Sequence, residues 1–177
     1  PVAIPAGSTL AALAAGSPVI IKPAAQARRC GQVMVEALWE AGVPREALQF
    51  LPCPGSGAGA ALVAHPEVDV VLLTGGTDTA LCMLAARPSL RLSAETGGKN
   101  AYVITALSDH ELAIKHVGQS AFGHAGQKCS AVSLLLLEAE VYDDPRFREQ
   151  FVDAVRSLPV GSAWDLTTRV GPLIRPA

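Results

Sequence analysis

Residues 68–77 read Val68-Asp69-Val70-Val71-Leu72-Leu73-Thr74-Gly75-Gly76-Thr77. The first seven form an apolar run rich in valine, broken only by Asp69 and stopped by paired glycines. Apolar residues at consecutive rather than alternate positions predict a strand covered on both faces, as in a parallel sheet. Thr77 to Arg87 then reads as a helix, closed by Pro88. Strand, Gly-Gly turn and helix together make one half of a βαβ unit.

The same alternation extends upstream. Pro18 to Lys22 (PVIIK) is a second continuous apolar strand, and Leu48 to Leu51 a third. Between them, Gln26 to Ala41 places Val33, Met34, Ala37, Leu38 and Ala41 on one helical face. Gly42 is positioned as its C-terminal cap, and Pro44 prevents continuation. Ser8 to Ala15 reads as a short Ala/Leu helix stopped by Gly16, and Gly57 to His65 as a small-residue helix. Downstream, Leu90 to Glu95 is a strand ending at Thr96-Gly97-Gly98. Ala101 to Thr105 is another. Ser108 opens a helix reaching about Phe122, with Glu111 completing a capping box. Val132 to Glu138 is a strand, and Asp144-Pro145 starts a helix with Phe147, Phe151, Val155 and Leu158 on one stripe. Strands separated by helices of this length predict an α/β protein with a doubly wound parallel sheet over residues 1–97. Residues 98–177 form the start of a second α/β domain, with Gly97-Gly98 as the junction.

Composition narrows the class. Half of the 177 residues are hydrophobic and 17% are charged, which excludes intrinsic disorder. The net charge of −2 leaves no basic surplus for neutralising nucleic-acid phosphates. No apolar run approaches the ~20 residues that span a bilayer. The chain starts at Pro1 without a secretory leader, and its last residues, Gly171 to Ala177, form no closing element; it reads as a piece of a longer polypeptide. The cysteines at 30, 53, 82 and 129 make no CxxC pair and stand apart from the four histidines, so no metal site is expected. Scattered thiols in an Ala-rich chain suit a reducing, cytoplasmic setting.

Four places could carry chemistry. Gly75-Gly76, before a helix N-terminus, would let backbone amides approach an anion. Lys22 stands at the carboxyl end of a strand, the edge where open α/β sheets bind ligands. Glu95-Thr96-Gly97-Gly98-Lys99-Asn100 sets a carboxylate at a strand end, where a closed cleft would shift it towards a general base. Gly123-His124-Ala125-Gly126-Gln127-Lys128-Cys129-Ser130 is a Gly-rich passage with one thiol near its end, and only His124 and Lys128 as neighbouring cations in sequence. Taken alone, the Gly75-Gly76 turn, Lys22 and Cys129 read sooner as an ordinary turn, a solvated strand end and a buried loop cysteine, and Glu95 as readily as a surface carboxylate.

Taken in order, these motifs resemble the aldehyde dehydrogenases. Pro1-Val2-Ala3-Ile4-Pro5 is similar to the stretch following that family's Trp-Asn-Phe segment, with Pro1 as its closing proline. Pro18 to Ala24 resembles the cofactor-binding strand and Leu73 to Thr77 the pyrophosphate turn. Glu95 to Asn100 resembles the general-base motif, and Gly126 to Ser130 the nucleophile motif. A narrower resemblance, carried by Ser120-Ala121-Phe122-Gly123 and Gly126 to Ala131, is to glutamate-semialdehyde (pyrroline-carboxylate) dehydrogenases of proline catabolism, some fused to proline dehydrogenase. The resemblance implies a Rossmann-like cofactor domain, Cys129 as nucleophile and Glu95 as base. It implies cofactor contacts from Lys22, Gly75, Gly76 and Gly97, and substrate contacts from Ser130 and Phe122. It further implies a small aldehyde substrate, NAD as cofactor and a homo-oligomeric full-length protein.

Three departures accompany the resemblance. An acidic residue often stands three positions after the lysine and binds the ribose hydroxyls; here it is Ala25. That opens the way to NADP, with Arg28 or Arg29 on its 2′-phosphate. The pyrophosphate turn often reads Gly-Ser rather than Gly75-Gly76, and a later glycine is Ala80. The family's oxyanion-binding Asn would precede Pro1, and the Glu that grips the nicotinamide ribose would follow Ala177. Two other readings stay open: a dinucleotide-binding module without turnover, and a Cys-His hydrolase built on Cys129 and His124.

Overall fold

In the computed structural model, residues 2–175 are described; Pro1, the expected closing proline, lies outside them. The chain divides into two compact units, one ending at Glu95 and one starting at Thr96.

The first unit opens with α1 (Ala3–Ala14) and β1 (Val19–Ile21), followed by a 3₁₀ turn (Ala25–Ala27) that leads into α2 (Arg28–Glu40). Next come β2 (Leu48–Phe50), α3 (Ala58–Ala64), β3 (Val70–Gly75), α4 (Thr77–Ala86) and β4 (Arg91–Thr96). β1 pairs with β2 in parallel, Val19 opposite Leu48 and Ile21 opposite Phe50. β3 lies beside β4. The core forms where α2 crosses the first pair: Ile21, Met34, Val35 and Leu48 are buried together, with Trp39 and Phe50 against them. Trp39 completes that contact by donating Nε1–H to the Leu48 carbonyl at 2.9 Å. A half-buried indole thereby keeps its polar edge satisfied.

Helix α1 starts five residues earlier than its sequence suggests. Pro5 is compatible with this start, because a proline in the first turn removes only an N–H that has no helical partner there. The helix ends as expected, with Gly16 at φ +79. Its N–H bonds to Leu13 and that of Ser17 to Ala12, closing the orphan carbonyls.

The second unit contains β5 (Asn100–Ile104), α5 (His110–Phe122), β6 (Val132–Leu137), α6 (Ala139–Tyr142) and α7 (Pro145–Arg156). β5 and β6 pair in parallel. Ile104, Ala113, Ile114, Val117, Val141 and Phe147 form the buried core, with Phe151 and Ala154 packed on it. The stripe read from Phe147 and Phe151 is real, the two rings stacking at 6.4 Å. The cap of α5 differs from expectation. Asp109, not Ser108, is the N-cap, accepting from the Leu112 N–H at 2.9 Å. Ser108 instead turns its hydroxyl back to the Thr105 carbonyl. A carboxylate is the stronger acceptor for helix N-terminal amides, so the cap moves one residue along.

The strands are not covered on both faces. Val70 and Leu72 on β3 remain 44% and 53% exposed, and Leu134 and Leu136 on β6 41% and 48%. On β3, Val71 and Leu73 are half-buried, and on β6, Leu135 and Leu137 are, while the alternate leucines and valine of these two strands stay open. The consecutive apolar pattern therefore suits two covered faces, of which the described residues supply one.

Candidate active site

Within the first unit, three candidates stand at the carboxyl ends of strands. Lys22 directly follows β1, is half-buried and donates from Nζ to the Pro23 carbonyl at 3.1 Å. Its stem passes close to α3. A β-carbon on buried Gly59 would stand 3.4 Å from the Lys22 Cδ and only 2.6 Å from the Pro54 carbonyl oxygen. Gly59 thus owes its identity to close packing beneath the lysine.

Gly75 and Gly76 form the turn between β3 and α4. Gly76 is the helix N-cap, in extended conformation, and no side chain caps the helix. Its carbonyl accepts from Thr79 and Ala80, while the amides of Thr77 and Asp78 lie beyond the reach of the helical ladder. A β-carbon at Gly76 would meet nothing nearer than the Thr79 Oγ1, at 3.8 Å. The space over these amides is open, as a pyrophosphate would need. Asp78 also stands in the first turn, so a bound anion would share that end of the helix with a carboxylate.

Glu95 lies at the penultimate position of β4 and is exposed. The burial expected around it is not supplied by its own unit. Ala25 sits in the exposed 3₁₀ turn, and Arg28 and Arg29 are exposed at the start of α2.

In the second unit, Gly97 is exposed, with open space where a side chain would be. Phe122 is half-buried at the end of α5. The chain then makes a sharp turn. His124, Ala125 and Gly126 take φ values of +53, +56 and +71, a left-handed run of three. For the two non-glycine residues this costs ~1–2 kcal/mol each. Cys129 and Ser130 follow in a turn, both exposed. Among the described residues no hydrogen bond occupies the Cys129 N–H.

Sequence patterns carried no role for the groups that secure this turn. The Gln127 carboxamide donates to the carbonyls of His124 at 3.0 Å and Pro172 at 3.3 Å, and accepts from the Ile174 N–H at 2.8 Å. Asn100 donates from Nδ2 to the Cys129 carbonyl at 2.6 Å and the Ala131 carbonyl at 3.0 Å. Ser120 accepts the Val132 N–H at 3.3 Å. Both carboxamides lie within the general-base and nucleophile motifs, but their partners are remote in sequence or pure backbone, which no spacing reveals.

The other thiols differ in setting. Cys30 is half-buried on α2 and Cys82 exposed on α4. Cys53 lies beyond the end of β2 at Phe50 and is half-buried. No group of His, Cys, Asp or Glu among the described residues could hold a metal ion. No helix among them is long and apolar enough to cross a membrane.

An α/β chain with glycine turns at strand ends and an exposed cysteine in a strained loop matches one family throughout. The aldehyde dehydrogenase family matches residues 1–177, and the chain belongs to it. A 1-pyrroline-5-carboxylate dehydrogenase of Bacillus cytotoxicus is 37% identical over 98% of this chain and 35% of its own length. Proline Utilization A from Corynebacterium freiburgense superposes with a TM-score of 0.93 at 45% identity, over 99% of this chain and 18% of that one. The same protein from Bradyrhizobium japonicum gives 0.90 at 40% identity, over 96% of this chain and 18% of that one. The chain thus spans about a third of the length of the curated relatives it matches.

Proposed function

We propose that this chain carries the nucleophile and the dinucleotide contacts of an NAD(P)-dependent aldehyde dehydrogenase acting on L-glutamate γ-semialdehyde in proline catabolism. The observation that carries the reading is Cys129: an exposed thiol in a turn fastened by two carboxamides, its backbone N–H taking no hydrogen bond among the described residues. The relatives named for pyrroline-carboxylate oxidation support the substrate class.

In this reading the Cys129 thiolate attacks the aldehyde carbon, and its N–H meets the oxyanion of the thiohemiacetal. The nicotinamide dinucleotide supplies a hydride acceptor. Glu95 takes a proton from the water that hydrolyses the resulting thioester, giving the carboxylic acid. Ser130, next to the nucleophile, holds the far carboxylate of the substrate, and Phe122 flanks its chain. Lys22 contacts the adenine ribose, the amides over Gly75-Gly76 receive the pyrophosphate, and Gly97 gives room for the nicotinamide end. These residues fit a dinucleotide: the Gly76 amide turn is open and uncapped, and Gly97 faces free space. NAD is the proposed cofactor. NADP is the second candidate, because Ala25 offers no carboxylate against a 2′-phosphate and Arg28 and Arg29 are exposed beside it.

The test is reduction of NAD by glutamate semialdehyde in the full-length protein carrying this chain. Cys129→Ala is expected to lower turnover by roughly 10³-fold or more with cofactor binding retained. Glu95→Gln should leave a burst of NADH and slow the steady state. Turnover persisting in Cys129→Ala, or ester hydrolysis independent of nucleotide, would sink the proposal.

A further inference from the structure

We infer that Asn100 is a positioning residue for the Cys129 thiol, a role that rests on Cys129 being the nucleophile. The turn holding Cys129 is fixed by hydrogen bonds rather than by packing, and among them only those of Asn100 reach the Cys129 peptide unit. Residues 126–130 are all exposed, so no apolar packing sets their conformation. The left-handed run before them is a conformation that persists only where its surroundings over-determine it.

The strand ladder does not supply that constraint. Asn100 pairs with Val132, but Ala101 pairs with Leu134, so Ser133 is an extra residue on β6. Such a bulge interrupts the ladder and bends the strand at the point where the nucleophile turn joins it. Side chains take over there. Asn100 reaches back from the first position of β5 and donates to the carbonyls of Cys129 and Ala131. Ser120 accepts the Val132 N–H from α5. Asn100 spans 29 residues of sequence to bond the peptide unit leaving Cys129 itself. Rotation of that unit would tilt the Cys129 backbone from which the thiol projects, and Asn100 opposes it.

The chemistry is specific to a carboxamide. Both acceptors are carbonyl oxygens, so only the NH₂ end can face them. Aspartate has the same shape but no donor when ionised, and would turn two attractions into two repulsions. Alanine would merely remove them. The order wild type, Asn100→Ala, Asn100→Asp is therefore expected in any property that depends on the placement of the thiol.

The experiment uses the full-length protein with two readouts. The first is the NADH burst with glutamate semialdehyde, together with the KM for NAD. The burst rate is expected to fall about tenfold in Asn100→Ala and about 10²-fold in Asn100→Asp, the scale of a misplacement near 1 Å. The KM for NAD should stay within about twofold, which general loosening of the fold would not leave unchanged. The second is the rate of Cys129 carbamidomethylation by iodoacetamide at pH 7, mapped by peptide, beside Cys30, Cys53 and Cys82. A slowing of about fivefold or more at Cys129 in Asn100→Asp, with the other three unchanged, supports the role. Burst and labelling rates within twofold of wild type in both variants would overturn it. If the wild type reduces no nicotinamide cofactor with any aldehyde yet Cys129 labelling still follows the predicted order, the dehydrogenase reading falls and the positioning role stands. An active wild type with labelling and burst unmoved in the variants does the opposite: the dehydrogenase stands and the positioning role falls.

Discussion

Two glycine-bearing turns, one in each unit, solve opposite problems. At Gly75-Gly76 the backbone is relaxed: Gly76 has φ −76 and ψ 146, values open to any residue. The glycines there matter for the side chains they lack, leaving the α4 amides uncovered. At Gly123 to Ser130 the backbone is strained, and only one of its three consecutive left-handed residues is a glycine. That turn is shaped by Asn100, Gln127 and Ser120 acting from outside or across it. A surface meant to receive a ligand's charge needs only to be bare. In its proposed role as nucleophile Cys129 must be held at one place, and an exposed loop without a core is held by directed hydrogen bonds.

The first variant lies at Gly59, beside the Lys22 side chain of the same unit. Gly59→Ala drives a β-carbon onto the Pro54 carbonyl at 2.6 Å, a backbone atom that cannot swing aside. A loss of ~1–3 kcal/mol in urea unfolding is expected, along with weaker nucleotide binding as Lys22 shifts. Gly76→Ala is its counterpart. Its β-carbon has room, so stability should change by less than ~0.5 kcal/mol. Nucleotide affinity should nonetheless drop by about tenfold if a pyrophosphate approaches the amides there. Unchanged affinity measured by calorimetry would show that the open turn receives nothing.

The strained turn gives a smaller effect. Ala125→Gly relieves left-handed strain while adding freedom to the unfolded chain, for a net gain of ~0.5 kcal/mol. Ala125→Val should instead lose ~1 kcal/mol, because a β-branched side chain fits φ +56 worse still. Equal stability of the two variants by denaturant titration would mean the turn is not held left-handed in solution.

The smallest effect is a local titration. Asp165 accepts from the Thr167 hydroxyl at 2.7 Å and the Thr167 N–H at 2.9 Å, which hold its carboxyl below the ordinary 3.8. The folded value is depressed, so this turn is supported above pH 3.8 and released as pH falls through the folded value. The Thr167 amide resonance should therefore move with a midpoint below 3.8, and in Asp165→Asn it should not move at all. A midpoint at or above 3.8 would show the turn unformed in solution.

Much of this was legible from the chain alone, because its signals are local. Apolar runs ended by glycine pairs or a lysine mark β1 and β3, and the one-sided periodicity of Gln26 to Ala41 marks α2. The motif residues Lys22, Gly75, Gly76, Glu95 and Cys129 fall at strand ends or in turns, where short-range patterns have most force. Local signals also misled where two acceptors competed within one residue of each other, as at Ser108 and Asp109, or where Pro5 was admitted to a helix's first turn.

Sequence by itself therefore determined the alternation of strands and helices, the family and the position of the thiol, since each is written in contiguous residues. Tertiary structure alone decided what holds that thiol. The bonds from Asn100 to Cys129 and from Gln127 to Pro172 join groups 29 and 45 residues apart. The Asn100 bond joins the first residue of β5 to the turn that leads into β6, its parallel partner. A hydrogen bond depends on distance and direction in space, and neither is encoded in the spacing of its partners along the chain.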